Sequence, residues 1–102
     1  MTLPSQDELD QLHYHICQSV GDTKRLLIIY ALDEKPRYVT ELANLLNLPQ
    51  PTISRHLAIL LERGIVIKER NGAAMVYRLA DERVVTIMNA MRGILADLLV
   101  RK

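Results

Sequence analysis

The most regular pattern of apolar and polar positions lies between Val39 and Val66. Ile53, Leu57, Leu60 and Leu61 fall at i, i+4, i+7 and i+8 and predict a helix with one apolar stripe. Thr52, Arg55, His56, Ile59 and Arg63 lie largely off that stripe, with Ser54 at its edge, so this set is expected to face solvent. Pro51 suits the first helical position, where its missing N–H costs nothing, with Gln50 before it, and Gly64 marks the stop. Upstream, Leu42, Leu45 and Leu46 predict a shorter helix that buries all three. Asn47-Leu48-Pro49 ends it, because a residue before proline is pushed out of helical geometry. Two short helices joined in this way predict a helix-turn-helix, a unit that sets its second helix in the major groove of DNA.

The same reading places the remaining elements. Leu9, Leu12, Ile16 and Val20 repeat at helical spacing and predict a first helix within Thr2 to Ser19, with Pro4 or Ser5 near its start. Asp7 and Glu8 suit the positive end of its dipole. Asp22 is the expected N-cap of a mostly apolar, buried central helix from Thr23 to Leu32. Asp33 to Pro36 reads as a loop and Arg37-Tyr38 as a short edge strand, after which Thr40 is a better helix cap than Tyr38. Two β-rich runs, Ile65 to Arg70 and Met75 to Leu79, flank Asn71-Gly72 and predict a hairpin. Ala73 and Ala74 are expected to make its loop longer than two residues.

The last segment, Asp81 to Val100, predicts a long helix starting at Asp81 or Glu82. Its apolar residues run through Val84, Val85, Ile87, Met88, Met91, Ile94, Leu95, Leu98, Leu99 and Val100, an arc wider than one helix face in so small a protein can bury. A second copy of the chain is the economical cover for the surplus. The expected architecture is therefore mainly α with a small β-hairpin, in the order α-α-α-α-β-β-α. It is a winged helix-turn-helix forming a single domain over residues 1–102, with 1–20 and 81–102 making a homodimer interface.

Composition narrows the classes. The 102 residues are 49% apolar, without Trp or Phe, so the core is expected to be aliphatic. One cysteine, Cys17, excludes an internal disulfide framework and fits a reducing compartment. No run approaches the roughly 18 apolar residues of a spanning helix, and the N-terminal stretch carries Asp and Glu where a leader would be basic. A soluble cytoplasmic protein with no membrane partner is expected. The formal net charge of +1 hides an asymmetry. Residues 1–23 hold Asp7, Glu8, Asp10 and Asp22 without a Lys or Arg. Residues 50–78 hold Arg55, Arg63, Lys68, Arg70 and Arg78 against Glu62 and Glu69. Positive charge thus gathers on the helix-turn-helix and hairpin, where phosphate contacts are expected.

Several motifs resemble the ArsR/SmtB family of winged-helix repressors. Asp22-Thr23-Lys24-Arg25-Leu26 is similar to the D-P-x-R-L that opens the family's second helix. Thr40-Glu41-Leu42-Ala43, followed by Leu48 to Leu57 (LPQPTISRHL), resembles its E-L-A…L-S-Q-S-x-V-S-x-H-L signature. Leu60, Gly64, Ile65 and Val66 continue the likeness, and Tyr77-Arg78-Leu79 resembles the second wing strand. The resemblance implies a dimeric DNA-binding repressor whose DNA-facing set is Gln50, Thr52, Ser54, Arg55 and His56. Arg55 would take a guanine or a phosphate, and His56 looks like a phosphate-contacting histidine, with a packing role inside the fold as its alternative. The hairpin would add Arg70, Asn71 and Arg78.

The family's inducer sites are not matched. The positions of its C-x-C metal site hold Tyr38 and Thr40, and the zinc-type D-x-H meets Asp81-Glu82-Arg83, with Ile94 and Asp97 further on. His13 and Cys17 sit four apart on the first helix, a weak candidate ligand pair that needs further ligands from elsewhere. Cys17 as a small buried hydrophobe is the plainer alternative. No cofactor is expected, a metal ion being a minor alternative. A redox- or metal-responsive repressor acting through Cys17 and His13 stays open, as does a protein-interaction module that does not read DNA. No glycine-rich phosphate loop or acid/base pair points to an enzyme.

Overall fold

The structure, a computed structural model, describes residues 2–101. Its elements are α1 (Gln6–Leu12), a π-turn (His13–Cys17), α2 (Thr23–Glu34), β1 (Arg37–Tyr38), α3 (Val39–Leu46), α4 (Gln50–Arg63), β2 (Val66–Asn71), β3 (Ala74–Leu79) and α5 (Arg83–Val100). Side-chain caps account for two of the starts. Ser5 Oγ accepts the Glu8 amide at 3.1 Å, and Asp22 Oδ1 accepts the amides of Lys24 and Arg25 at 2.8 and 3.2 Å. α3 begins at Val39, two residues earlier than a Thr40 cap would allow, because the Tyr38 amide bonds to the Glu41 carboxylate at 3.0 Å. α4 takes Gln50 as its first residue and Pro51 as its second, and stops at Gly64, whose φ of 85° is left-handed. Asp81 accepts the Arg83 amide at 2.9 Å just ahead of α5, whose N-cap position is Glu82.

The first predicted helix is thus shorter than expected and gives way to a wider turn, in which the Gln18 amide reaches back to the His13 carbonyl at 2.9 Å.

The hairpin turn is also tighter than expected. Asn71 pairs with Ala74, leaving Gly72-Ala73 as a two-residue turn. Gly72 has φ 66° and Ala73 is not left-handed, the pattern of a type II′ turn, whose twist matches that of the strands. β1 adds a third strand on the outer side of β3, giving the antiparallel order β1-β3-β2.

One aliphatic core joins these elements: Ile28, Ile29 and Leu32 of α2, Leu42 of α3, Ile53, Leu57 and Leu60 of α4, Ile65 and Val66, and Val84, Val85 and Met88 of α5. Leu27 and Leu45, both expected inside, are exposed, Leu45 by 52%. On α3 the buried line runs through Leu42 and Ala43 with the half-buried Leu46, and Leu45 lies at its edge, turned to solvent. α5 enters the core with its first two turns only. Beyond them Met91, Ile94 (61% exposed), Leu95, Leu98 (49%) and Leu99 line an open face, and α1 buries no residue at all.

Candidate nucleic-acid interface

α4 presents two distinct faces. Ile53, His56, Leu57 and Leu60 are buried at i, i+3, i+4 and i+7. Gln50, Pro51, Ser54, Arg55, Ala58 and Glu62 are exposed on the other side, with Thr52 half-buried at the margin. Four of the five expected helix residues therefore lie on or beside one open face, and the fifth does not. His56 is 6% exposed, among the core leucines. The structure corrects the reading that turned it toward DNA, burying position 56 together with Ile53, three residues before it, and Leu60, four after.

A polar clamp explains how an imidazole is tolerated there. Arg25 Nη1 lies 3.2 Å from His56 Nδ1. A guanidinium only donates, so Nδ1 is the acceptor and the proton sits on Nε2. Burial depresses the His56 pKa; Asp22 opposes the shift, while the positive charges of Arg25, Arg55 and Lys24 add to it. Lys24, absent from the expected set, is thereby brought near His56 of α4. Nothing local could have revealed it, because the two lie on helices separated by α3.

Arg63 also turns inward. Its side chain is 19% exposed, Nε bonds to Glu62, and Nη1 donates to the Tyr14 carbonyl and to Gln18 Oε1, both at 2.9 Å. Composition groups it with the charges available to phosphate; its geometry gives it to the N-terminal segment instead. Glu62, exposed on the same end of α4, adds negative charge there. Cationic and neutral polar groups dominate the N-terminal half of the open face, where Gln50, Ser54 and Arg55 stand near the positive helix end.

Strand alternation divides the wing. Val66, Lys68 and Arg70 share one face with their partners Leu79, Tyr77 and Met75. Ile67, Glu69 and Asn71 share the other with Arg78, Val76 and Ala74. The expected trio Arg70, Asn71 and Arg78 is therefore not one surface. Arg78 pairs with Glu69 at 2.5 Å, and Asn71 Nδ2 donates to the Tyr38 hydroxyl at 2.6 Å. Lys68 and Arg70 remain as the wing's side-by-side cations on a single face.

The donor set does not fit the family's metal sites. Arg83 forks onto Asp81 with contacts of 2.7 to 3.1 Å and pulls that carboxyl down to about 2, so the aspartate is neutralised by its neighbour. Among the described residues no three His, Cys, Asp or Glu side chains of one chain gather around a point that would take a metal ion. His13 Nε2 accepts from the Gln18 side-chain amide at 3.4 Å, and Cys17 is exposed, which goes against its alternative reading as a small buried hydrophobe.

Residues 22–68 match the family model for the bacterial regulatory protein, arsR family. The transcriptional repressor SmtB of Mycobacterium tuberculosis is 44% identical over 64 residues, 63% of this chain. This chain spans 47% of SmtB, about half its length. The biofilm growth-associated repressor of Xylella fastidiosa is 31% identical over 77 residues, covering 76% of this chain and 68% of that protein. Among solved structures, the homodimeric winged helix-turn-helix DNA-binding domain of a possible ArsR-family regulator from Mycobacterium bovis superposes with a TM-score of 0.80. It is 25% identical and covers 100% of this chain and 96% of that one.

Proposed function

Since this chain belongs to the ArsR family of bacterial regulatory proteins, we propose that it is a homodimeric, sequence-specific DNA-binding repressor, non-enzymatic and cytoplasmic. The observation that carries this is the open N-terminal half of α4, where Gln50, Ser54 and Arg55 are exposed and serve no core contact. Arg55 reads a guanine edge or grips a phosphate, Gln50 pairs with an adenine, and Thr52 and Ser54 bond phosphate oxygens. Lys68 and Arg70 of the wing reach the flanking backbone, and Asn71 and Arg78 contribute from the opposite strand face. The whole chain acts as one winged-helix unit, and residues 1–20 and 81–102 form its dimer interface, covering the open face of α5.

Two α4 helices related by a twofold axis call for an inverted repeat with half-sites about 10 bp apart or a multiple of that. Selection from a randomised duplex pool, followed by gel shift, tests the reading. Arg55→Ala is expected to lower affinity for the selected duplex at least about tenfold, with dimer and fold unchanged. Wild-type affinity in that variant would remove Arg55 from the contact set, and a failure of the wild-type protein to enrich any duplex would overturn the function.

A further inference from the structure

We propose that Arg63, by gripping the π-turn at His13–Cys17, is a positioning residue that sets the angle between α4 and the dimer helix α1. This rests on the DNA-binding, dimeric reading above. Because α1 buries none of its residues in its own chain, its direction depends on the joint that follows it. In an unbroken α-helix the Tyr14 carbonyl would accept the Gln18 amide. The π-turn sends that amide to His13 instead and releases the carbonyl, which Arg63 Nη1 takes at 2.9 Å. The Arg63 guanidinium also lies 4.0 Å over the Tyr14 ring, and His15 Nδ1 donates to the Arg63 carbonyl at 2.7 Å. The Tyr14 hydroxyl completes the latch by bonding to Glu62.

A second arginine holds the same joint at its C-terminal end. Arg25 donates to the carbonyls of Ser19 and Gln18 at 3.0 and 2.9 Å while it contacts His56 of α4. The recognition helix thus meets the joint at two places, two turns apart. In a twofold dimer built on α1 and α5, the α1–α4 angle of each protomer helps to set the separation of the two α4 helices. Loosening the joint leaves each half-site contact intact but lowers the effective concentration of the second contact once the first has formed.

The test uses the full chain and the inverted-repeat duplex that the wild-type protein selects. The same repeat with base pairs inserted or removed between its halves, and a duplex carrying one half-site, complete the series. For Arg63→Ala we expect an unchanged dimer by sedimentation and unchanged single half-site affinity. Affinity for the full repeat should fall about tenfold, and the preference for one spacing should flatten. Tyr14→Ala should do the same, and it carries the test should Arg63→Ala fail to fold. Retained spacing preference in the folded variants would overturn the proposal. So would an equal loss on single and double sites, which would make Arg63 a direct DNA contact. If the wild-type protein selects no duplex, the DNA-binding reading falls first, and the positioning role with it.

Discussion

At the scale of single residues, position on a helix face outweighs chemical type. His56 and Arg63 are both polar, yet they share the inward side of α4, and each is satisfied there by a partner distant in sequence: Arg25 for the first, the π-turn for the second. The cost is a pH dependence. Burial holds His56 below the ordinary imidazole value, so the unfolded chain binds a proton more readily than the folded one. The contribution is fully present above about pH 6.5 and is lost as pH falls from there toward the depressed value. The protein should therefore melt at a lower temperature at pH 5.5 than at pH 7.5, and His56→Gln should flatten that difference. An identical pH slope in the variant would show that another group titrates there. The depressed carboxylates Asp22, Glu62 and Asp81 act in a separate window, since their contribution is lost only below about pH 4.

At the scale of elements, the ends matter more than the interiors. Gly64 closes α4 in a left-handed conformation, and a Cβ placed there would meet nothing within 4 Å. Any cost of Gly64→Ala is consequently conformational, and a loss of about 1 kcal/mol in a denaturant melt is expected. Gly64→Asn should lose less, because asparagine visits that region more easily, as Asn47 does at the end of α3 with φ 55°. Equal losses for the two variants would point to packing rather than backbone geometry. The hairpin follows the same rule. Gly72 supplies the positive φ that a two-residue turn needs, which is why Ala73 and Ala74 do not lengthen the loop.

For the whole molecule, the unfinished surface is the governing fact. α5 contributes Val84, Val85 and Met88 to the core and then extends past it, with Ile94, Leu95, Leu98 and Leu99 open to solvent. An apolar seam of this kind beside the uncovered α1 is what a second subunit would remove from water. Leu98→Glu should shift the dimer toward monomer in sedimentation and abolish binding to the inverted repeat. The α4 core and the melting of the winged-helix unit at low concentration should be little affected. A dimer that survives Leu98→Glu would place the interface elsewhere.

Local pattern alone was enough for the helix-turn-helix, the wing, the Asp22 cap, the Gly64 stop and the surplus on α5, because each depends on residues within a turn or two of one another. The exposed Gln50, Ser54 and Arg55 were legible for the same reason: they follow from the period of one helix. Tertiary structure decided what depends on contacts across the chain. It turned His56 and Arg63 inward, brought Lys24 near His56 and paired the expected edge strand β1 with β3. Cross-strand pairing divided Arg70 from Arg78, and the contacts of the N-terminal segment with α4 joined the π-turn to Arg63. A periodicity says which positions share a face. Only the packed fold says what that face meets.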